Sequence, residues 1–276
     1  MLDQSLSDVR NFTALVLCIS ATTGVPAEPT PDGDLPAIAL IVDDMGYRHR
    51  DGQRVLALPY PLTYSFLPHA PSSRELAERA HLLGRDVLLH LPMEAQDHNH
   101  LLGPGALILG MTREQVIETL AADLASVPHV IGVSNHMGSL LTGEREPMQW
   151  VMAGLKQHGN LMFVDSRTTA RTVAAGVASE EQVPFLSRDV FLDNEAGTDY
   201  IRSQFFRLIE RAKRNGYALG VCHPRPDTLQ LLNEVLPSLE QYGVRLVRLS
   251  DLLTLRQRSA PVWQLSSSPS PKAAKN

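Results

Sequence analysis

Cysteine is nearly missing from this chain, with Cys18 and Cys222 the only two. If the N-terminal stretch that holds Cys18 is removed, one thiol remains and no internal disulfide can form. This scarcity suits a reducing or an oxidising compartment equally. Basic runs are also absent, which argues against an electrostatic membrane patch. Lys and Arg number 25 against 30 Asp and Glu, a net charge of -5, so no nucleic-acid footprint is present. The apolar run near the N-terminus is too short to span a bilayer comfortably, and no transmembrane span is expected in the mature chain. No internal repeat is evident. The Gly-x-Ser-x-Gly elbow of a serine nucleophile is missing around Ser139, which reads as a turn or cap residue.

What the chain does have is a rhythm. Apolar runs recur, and nearly every one stops at Asp, Asn or His. Ile38 to Val42 stops at Asp43-Asp44, Val87 to Leu89 at His90, and Val130 to Ser134 at Asn135-His136. Leu161 to Val164 stops at Asp165, with Arg167 just beyond, and Leu219 to Cys222 stops at His223. Continuous apolar runs are the pattern of buried parallel strands. Thr63 to Leu67, Phe185 to Leu192 and Val244 to Leu249 add further strand segments. Helix signals alternate with these runs. Ser72 with Glu75 and Thr112 with Gln115 read as capping boxes. Pro147 suits a first helical turn, Thr198 or Asp199 caps a long helix ending at Asn215-Gly216, and Asp227 or Thr228 caps another. The alternation predicts an α/β fold, a distorted (β/α) barrel of about seven parallel strands, with its chemistry at the carboxyl ends of the strands.

Arg10 precedes an apolar stretch through Ile19, and Val25-Pro26-Ala27 resembles a cleavage site, so residues 1–27 read as a secretory signal. Residues 28–36 read as a linker, 37–257 as the folded domain and 258–276 as a disordered tail.

The polar strand ends carry the chemistry. In Asp43-Asp44-Met45-Gly46, consecutive acids leave a strand in different directions, so one can bind a metal while the other acts as a base. His90 and His136 are candidate imidazole ligands, with Glu94 able to join if the turn bends back. Asn135 could hold a substrate carbonyl. Asp165 and Arg167 could form an orienting ion pair, or Arg167 could neutralise developing charge. His223, with Pro224 fixing the chain's exit, has a general acid's chemistry. Cys222 precedes it but faces the other side of a strand and reads as a core thiol. His98 and His100 read as solvated loop residues. Two His and one Asp suit zinc or a related divalent ion with an open position for water, the arrangement of metal-assisted hydrolysis.

Six motifs occur in order: Ile-Val-Asp-Asp-Met-Gly, His-Leu-Pro-Met-Glu, Asn-His-Met-Gly-Ser, Val-Asp-Ser-Arg-Thr, Arg-Asp-Val-Phe-Leu-Asp and His-Pro. Over roughly 37–255 the chain resembles the divergent polysaccharide deacetylases, distant relatives of the metal-dependent polysaccharide deacetylases. The resemblance implies an exported, periplasmic bacterial hydrolase that deacetylates N-acetylated glycans, with a glycan or peptidoglycan-like substrate. It implies Asp43 as base, Asp44 as metal ligand and His223 as catalytic histidine. The relatives' His-x-x-x-His motif reads His90-Leu-Pro-Met-Glu94 here, so the missing ligand is Glu94 or, preferably, His136. The relatives' next-motif Arg is replaced at Asn135-His136. Asp44, His90 and His136 are thus the expected metal set, with zinc the expected ion. Asp165 and Arg167 are expected to orient the acid–base pair. A glycan-binding envelope protein without turnover is the alternative from another class, and hydrolysis of a different bond is a third reading.

Overall fold

In a computed structural model, residues 35–159 and 161–259 are described. The expected leader, and nearly all of the expected linker and tail, lie outside them. Nine strands are present among the described residues: β1 (Ala37–Met45), β2 (Thr63–Phe66), β3 (Val87–Met93), β4 (Val130–Met137), β5 (Met162–Asp165), β6 (Phe185–Ser187), β7 (Val190–Phe191), β8 (Tyr217–Cys222) and β9 (Arg245–Leu246). Every pairing is parallel, in the order β6-β5-β4-β3-β2-β1-β8-β7. β9 pairs with Ala37 and Ile38 of β1, a stretch that β2, joining only from Ile41, leaves open. The edge strand expected over Val244 to Leu249 is therefore a two-residue pairing, and Leu249 already starts a helix.

The sheet is curled into a distorted barrel, and its two edges are joined by one dipeptide. Arg188 N donates to Asp165 O beside β5 at 2.9 Å, and Asp189 N donates to Leu219 O of β8 at 2.9 Å. β6 and β7 do not pair with each other, so this dipeptide spans the seam.

The helices are α1 (His49–Leu56), α2 (Ser73–Leu82), α3 (Arg113–Ser126), α4 (Arg145–Gln157), α5 (Ala174–Glu180), α6 (Thr198–Asn215), α7 (Pro226–Val235) and α8 (Leu249–Ser259). Strand residues divide by parity between two cores. Ile38, Leu40, Val42, Leu89, Val133, Phe163 and Cys222 pack outward with the helices. Ala37, Ala39, Ile41, Leu88, Val164 and Val221 point inward, where Leu249 and Leu252 of α8 join them. Ser250 N of α8 donates to Asp86 Oδ2 at 2.8 Å, tying that helix to the start of β3.

The helix ends correct several expectations. Thr112 and Gln115 form the capping box. Ser72 occupies the N-cap position of α2 but makes no capping bond. The hydroxyl of Ser73 instead donates to Leu67 O at 2.6 Å, anchoring the helix to the strand exit before it. α4 begins two residues before Pro147. Gly197, not Thr198 or Asp199, is the N-cap residue of α6, and Gly216 ends that helix in the left-handed conformation at φ 81°. Arg225, not Asp227 or Thr228, is the N-cap residue of α7, with Pro226 in its first turn.

Gly46 allows the exit from β1. Its φ is +124°, and a Cβ there would stand 2.0 Å from Ser73 Oγ and 2.9 Å from Ala70 Cβ. Gly46→Ala is expected to destabilise the fold by roughly 2–4 kcal/mol, from steric overlap and backbone strain together. Urea unfolding followed by circular dichroism measures this, and a midpoint equal to the parent's would contradict it.

Candidate metal centre

The barrel mouth gathers side chains from distant strands. β4 lies three strands from β1, about 14 Å on a flat sheet at ordinary strand spacing. His136 Nδ1 of β4 nevertheless comes within 3.1 Å of Asp44 Oδ1 of β1. The curl of the sheet, with side chains converging inside it, closes that distance.

Parity places most of the set. Ile41 faces inward, and so does Asp43; Leu88 and His90 face inward, as do Val221 and His223. Asp44 should by this alternation face the helices. Its backbone is left-handed at φ 57°, and the turn brings its carboxylate into the same cavity as Asp43. A non-glycine residue in that region costs about 1–2 kcal/mol. Strain of this kind collects at functional sites, where the surrounding structure enforces it. Met137 and Arg167, both lining the cavity, are also left-handed, at φ 56° and 50°.

The cavity is about 340 Å³. At its base one ligand atom each from Asp44, His90 and His136 lie within 4.8 Å of one another. Asp44 Oδ1 is 3.3 Å from His90 Nε2 and 3.1 Å from His136 Nδ1, and those two nitrogens are 3.3 Å apart. Asp44 Oδ1 is buried and has no hydrogen-bond partner. Two imidazole nitrogens converging with that carboxylate oxygen fit a divalent ion of zinc's type, with a position left for water. His90 is held for this role, since Nδ1 meets Ser134 Oγ at 2.9 Å and Ser134 Oγ meets Ser65 Oγ at 2.7 Å. Such outer contacts set ring orientation and which nitrogen is presented to a metal.

Asp43 sits alongside, 3% exposed, with Oδ1 3.7 Å from His90 Nδ1. Burial raises its carboxyl above the ordinary carboxylate range, against the opposing pull of His90 and His223. For Asp44, burial pushes upward but the imidazoles of His136 and His90 outweigh it, and its carboxyl is held far below the usual range.

His223 Nε2 lies 3.5 Å from Asp44 Oδ2. Behind it stands Asp193, the last residue of the Arg-Asp-Val-Phe-Leu-Asp motif. Asp193 Oδ1 meets His223 Nδ1 at 2.9 Å, and Oδ2 accepts from His223 N at 2.8 Å and from the Thr228 hydroxyl at 2.7 Å. Burial lowers the imidazole's pKa, but Asp193 and Asp44 overcome it, and the ring is held above its ordinary value. The signal for Asp193 was legible: Val190-Phe191-Leu192 is one more apolar run stopping at an acid.

Several expected residues take other positions. Glu94 is committed to the backbone, with Oε2 accepting from Leu109 N at 2.6 Å, and is outside the ligand cluster. Asp165 has the opposite parity to Val164, so it leaves the cavity, where its carboxylate accepts from Arg167 N and the Thr172 hydroxyl. It fixes the turn that carries Arg167 and does not touch Asp43 or His223, so the direct orienting contact expected of it is absent. Arg167 lines the cavity without a side-chain ion pair to Asp165 among the described residues. Asn135 uses both ends of its amide, donating to Met137 O at 2.7 Å and accepting from Ser166 N at 2.8 Å, and clamps the exits of β4 and β5 together. Ser139 Oγ accepts from Gln96 N, a turn residue as expected.

Cys222 is fully buried among the outward core, its thiol pushed up by burial and by nearby Asp193 and Asp43. It is expected to resist maleimide in the native protein and to react only after denaturation. Peptide mapping by mass spectrometry checks this, and stoichiometric native labelling at Cys222 would contradict it.

Residues 40–253 match the family described as divergent polysaccharide deacetylase. The uncharacterized protein YibQ of Escherichia coli (strain K12) is 37% identical over 216 residues, covering 78% of this chain and 67% of that protein. The crystal structure of the uncharacterized protein ATU2773 from Agrobacterium tumefaciens C58 is similar with TM-score 0.76 at 25% identity, covering 81% of this chain and 92% of that one. A BA3943 mutant, described as a CE4 family pseudoenzyme with restored enzymatic activity, shares the fold at TM-score 0.50 and 12% identity, covering 79% of this chain and 68% of that one. Curled parallel sheet, ordered strand-end motifs and matched length agree: the chain belongs to the divergent polysaccharide deacetylase family.

Proposed function

We propose that this protein is an exported, metal-dependent hydrolase that removes acetyl groups from N-acetylated glycans. The observation that carries the reading is the convergence of Asp44, His90 and His136 on one point, flanked by Asp43 and by His223 backed by Asp193. Asp44, His90 and His136 hold the ion, zinc by the chemistry of the donor set. When bound, a divalent ion there brings the pKa of water toward about 7 and polarises a carbonyl. Asp43 accepts the proton of the attacking water, and its raised pKa makes it a better base than a solvated carboxylate. His223 keeps Nδ1 against Asp193, which leaves Nε2 to deliver a proton to the departing amine nitrogen. Arg167, held at the rim by the Asp165 turn, offers positive charge to the developing oxyanion. Among the described residues no helix is long and apolar enough to cross a membrane, and the leader-like first 27 residues favour a periplasmic or other envelope location.

The purified chain, dialysed and analysed for metals, should retain about one zinc. It should release acetate from an N-acetylglucosamine oligomer, lose that activity to a chelator and regain it with added zinc. Products that differ from substrate by a chain cut instead of an acetyl mass would reassign the bond. A second reading, a glycan-binding envelope protein, is favoured by one observation: the position where a second β3 histidine would stand is Glu94, which bonds Leu109 N. Metal retained with no acetate released would select it.

A further inference from the structure

A second cavity, of about 330 Å³, adjoins the first, and Arg188, Phe191 and Asn194 line both. Its far wall is one face of α6. Tyr200, Gln204, Arg207 and Arg211 follow at spacings of four, three and four, which stacks them in a single stripe. The lower end of that stripe is neutralised, because Arg211 Nε pairs with Asp189 at 3.2 Å. The upper part is not. Arg207 donates to Gln204 Oε1 at 2.8 Å and has no carboxylate partner among the described residues. Arg188 spends its donors on backbone carbonyls, Nε on Ser166 O at 2.6 Å and Nη2 on Arg167 O at 3.0 Å, and makes no direct ion pair among the described residues, although Asp165, Asp43 and Asp189 act on its charge from further off. Its guanidinium lies 5.0 Å over the Phe191 ring, and that ring meets His223 edge-on, with centroids 5.3 Å apart.

Arg207, with no ion pair among the described residues, and the Arg188 guanidinium thus face one polar cavity next door to the proposed reaction centre, and the carboxylate in its lining, Asp189, is already paired with Arg211. An arginine fork is matched to a carboxylate, and no protein carboxylate fills the fork of Arg207 among the described residues. We infer that this cavity is a subsite for a carboxylate on the sugar next to the one being deacetylated, so that the substrate is an acidic N-acetylated glycan. The inference rests on the carbohydrate reading above. The acyl-bearing sugar would occupy the metal cavity, Phe191 would separate the two rings, and the neighbouring sugar would lie against Tyr200 with its carboxylate toward Arg207.

The test compares an N-acetylglucosamine–glucuronate tetrasaccharide with its methyl ester, which keeps the backbone and removes the charge. Binding to the full zinc-loaded chain is measured by titration calorimetry at low salt. The free acid is expected to bind about tenfold more tightly than the ester, the worth of one charged hydrogen bond. Arg207→Gln is expected to remove that preference, while Arg207→Lys retains part of it. Arg207 is exposed, so the variants should unfold at the parent's temperature, which the same samples report. Equal binding of acid and ester by the parent, or a preference that survives Arg207→Gln, overturns the subsite. Acetate release, scored separately, bears on the deacetylase reading alone, so the two can fail independently.

Discussion

His136→Ala is expected to strip the metal from the protein and to lower deacetylation by at least a hundredfold. The ring is one of the three proposed donors that converge among the described residues, and its Nδ1 lies 3.1 Å from Asp44 Oδ1. Removal leaves a two-donor site, and the two remaining groups, His90 Nε2 and Asp44 Oδ1 at 3.3 Å, can satisfy each other without an ion. The fold should persist, because His136 lies at the cavity wall and its side chain meets Asp44 and His90 there. Metal content after dialysis, with thermal unfolding as the control, is the deciding measurement. Full retention of metal would remove His136 from the ligand set. Glu94 is a poor substitute, because its carboxylate is engaged by Leu109 N on the far side of the turn.

Asp193→Asn is expected to have an effect of similar size by a different route. Asp193 is fully buried and bonds the backbone and the ring of His223 along with the Thr228 hydroxyl. The amide can keep only some of these contacts, since its nitrogen would face a donor. His223 then loses both its orientation and the charge that stabilises its protonated form. Turnover should fall about a hundredfold or more, while metal content stays at the parent's level because no ligand is touched. That split separates Asp193 from His136. Loss of metal in Asp193→Asn, or unaltered turnover, would refute the assignment.

Much of this site could be read from the chain because strand-end chemistry follows from a local rule. An apolar run that stops at a polar residue marks both the end of a buried strand and the direction of the mouth. Asp43, His90 and His223 obey it with simple alternation. Asp44 does not, since its inward turn depends on a left-handed backbone that residue identity alone does not announce. Asp165 looked equivalent to the others, yet a one-residue difference in parity turns it to the opposite face, where it becomes a turn support. Asp193 ends one more apolar run, but β7 is only two residues long, so that run is the least regular of the set. The helices followed the same division. The Thr112–Gln115 box is local and formed as written. The starts of α4, α6 and α7 were displaced, because Pro147, Thr198 and Asp227 tolerate positions inside a first turn as well as at its cap. The arginine pair at Arg188 and Arg207 was beyond any linear pattern, being brought together by β7 packing against α6.

The seam at Arg188-Asp189 has a consequence for how the protein comes into being. Its two backbone bonds reach Asp165 and Leu219, so it cannot be seated until β8 has joined β1, a pairing between residues about 180 positions apart. Contacts that distant form late and slowly, after the long intervening loop has been ordered. Asp193 lies four residues past the seam and His223 directly follows β8. The placing of His223, the proposed general acid, and the closure of the barrel are therefore one event. A nascent or partly unfolded chain can carry β1 to β5 with Asp44, His90 and His136, while His223, the proposed proton donor, is not in place until β8 arrives.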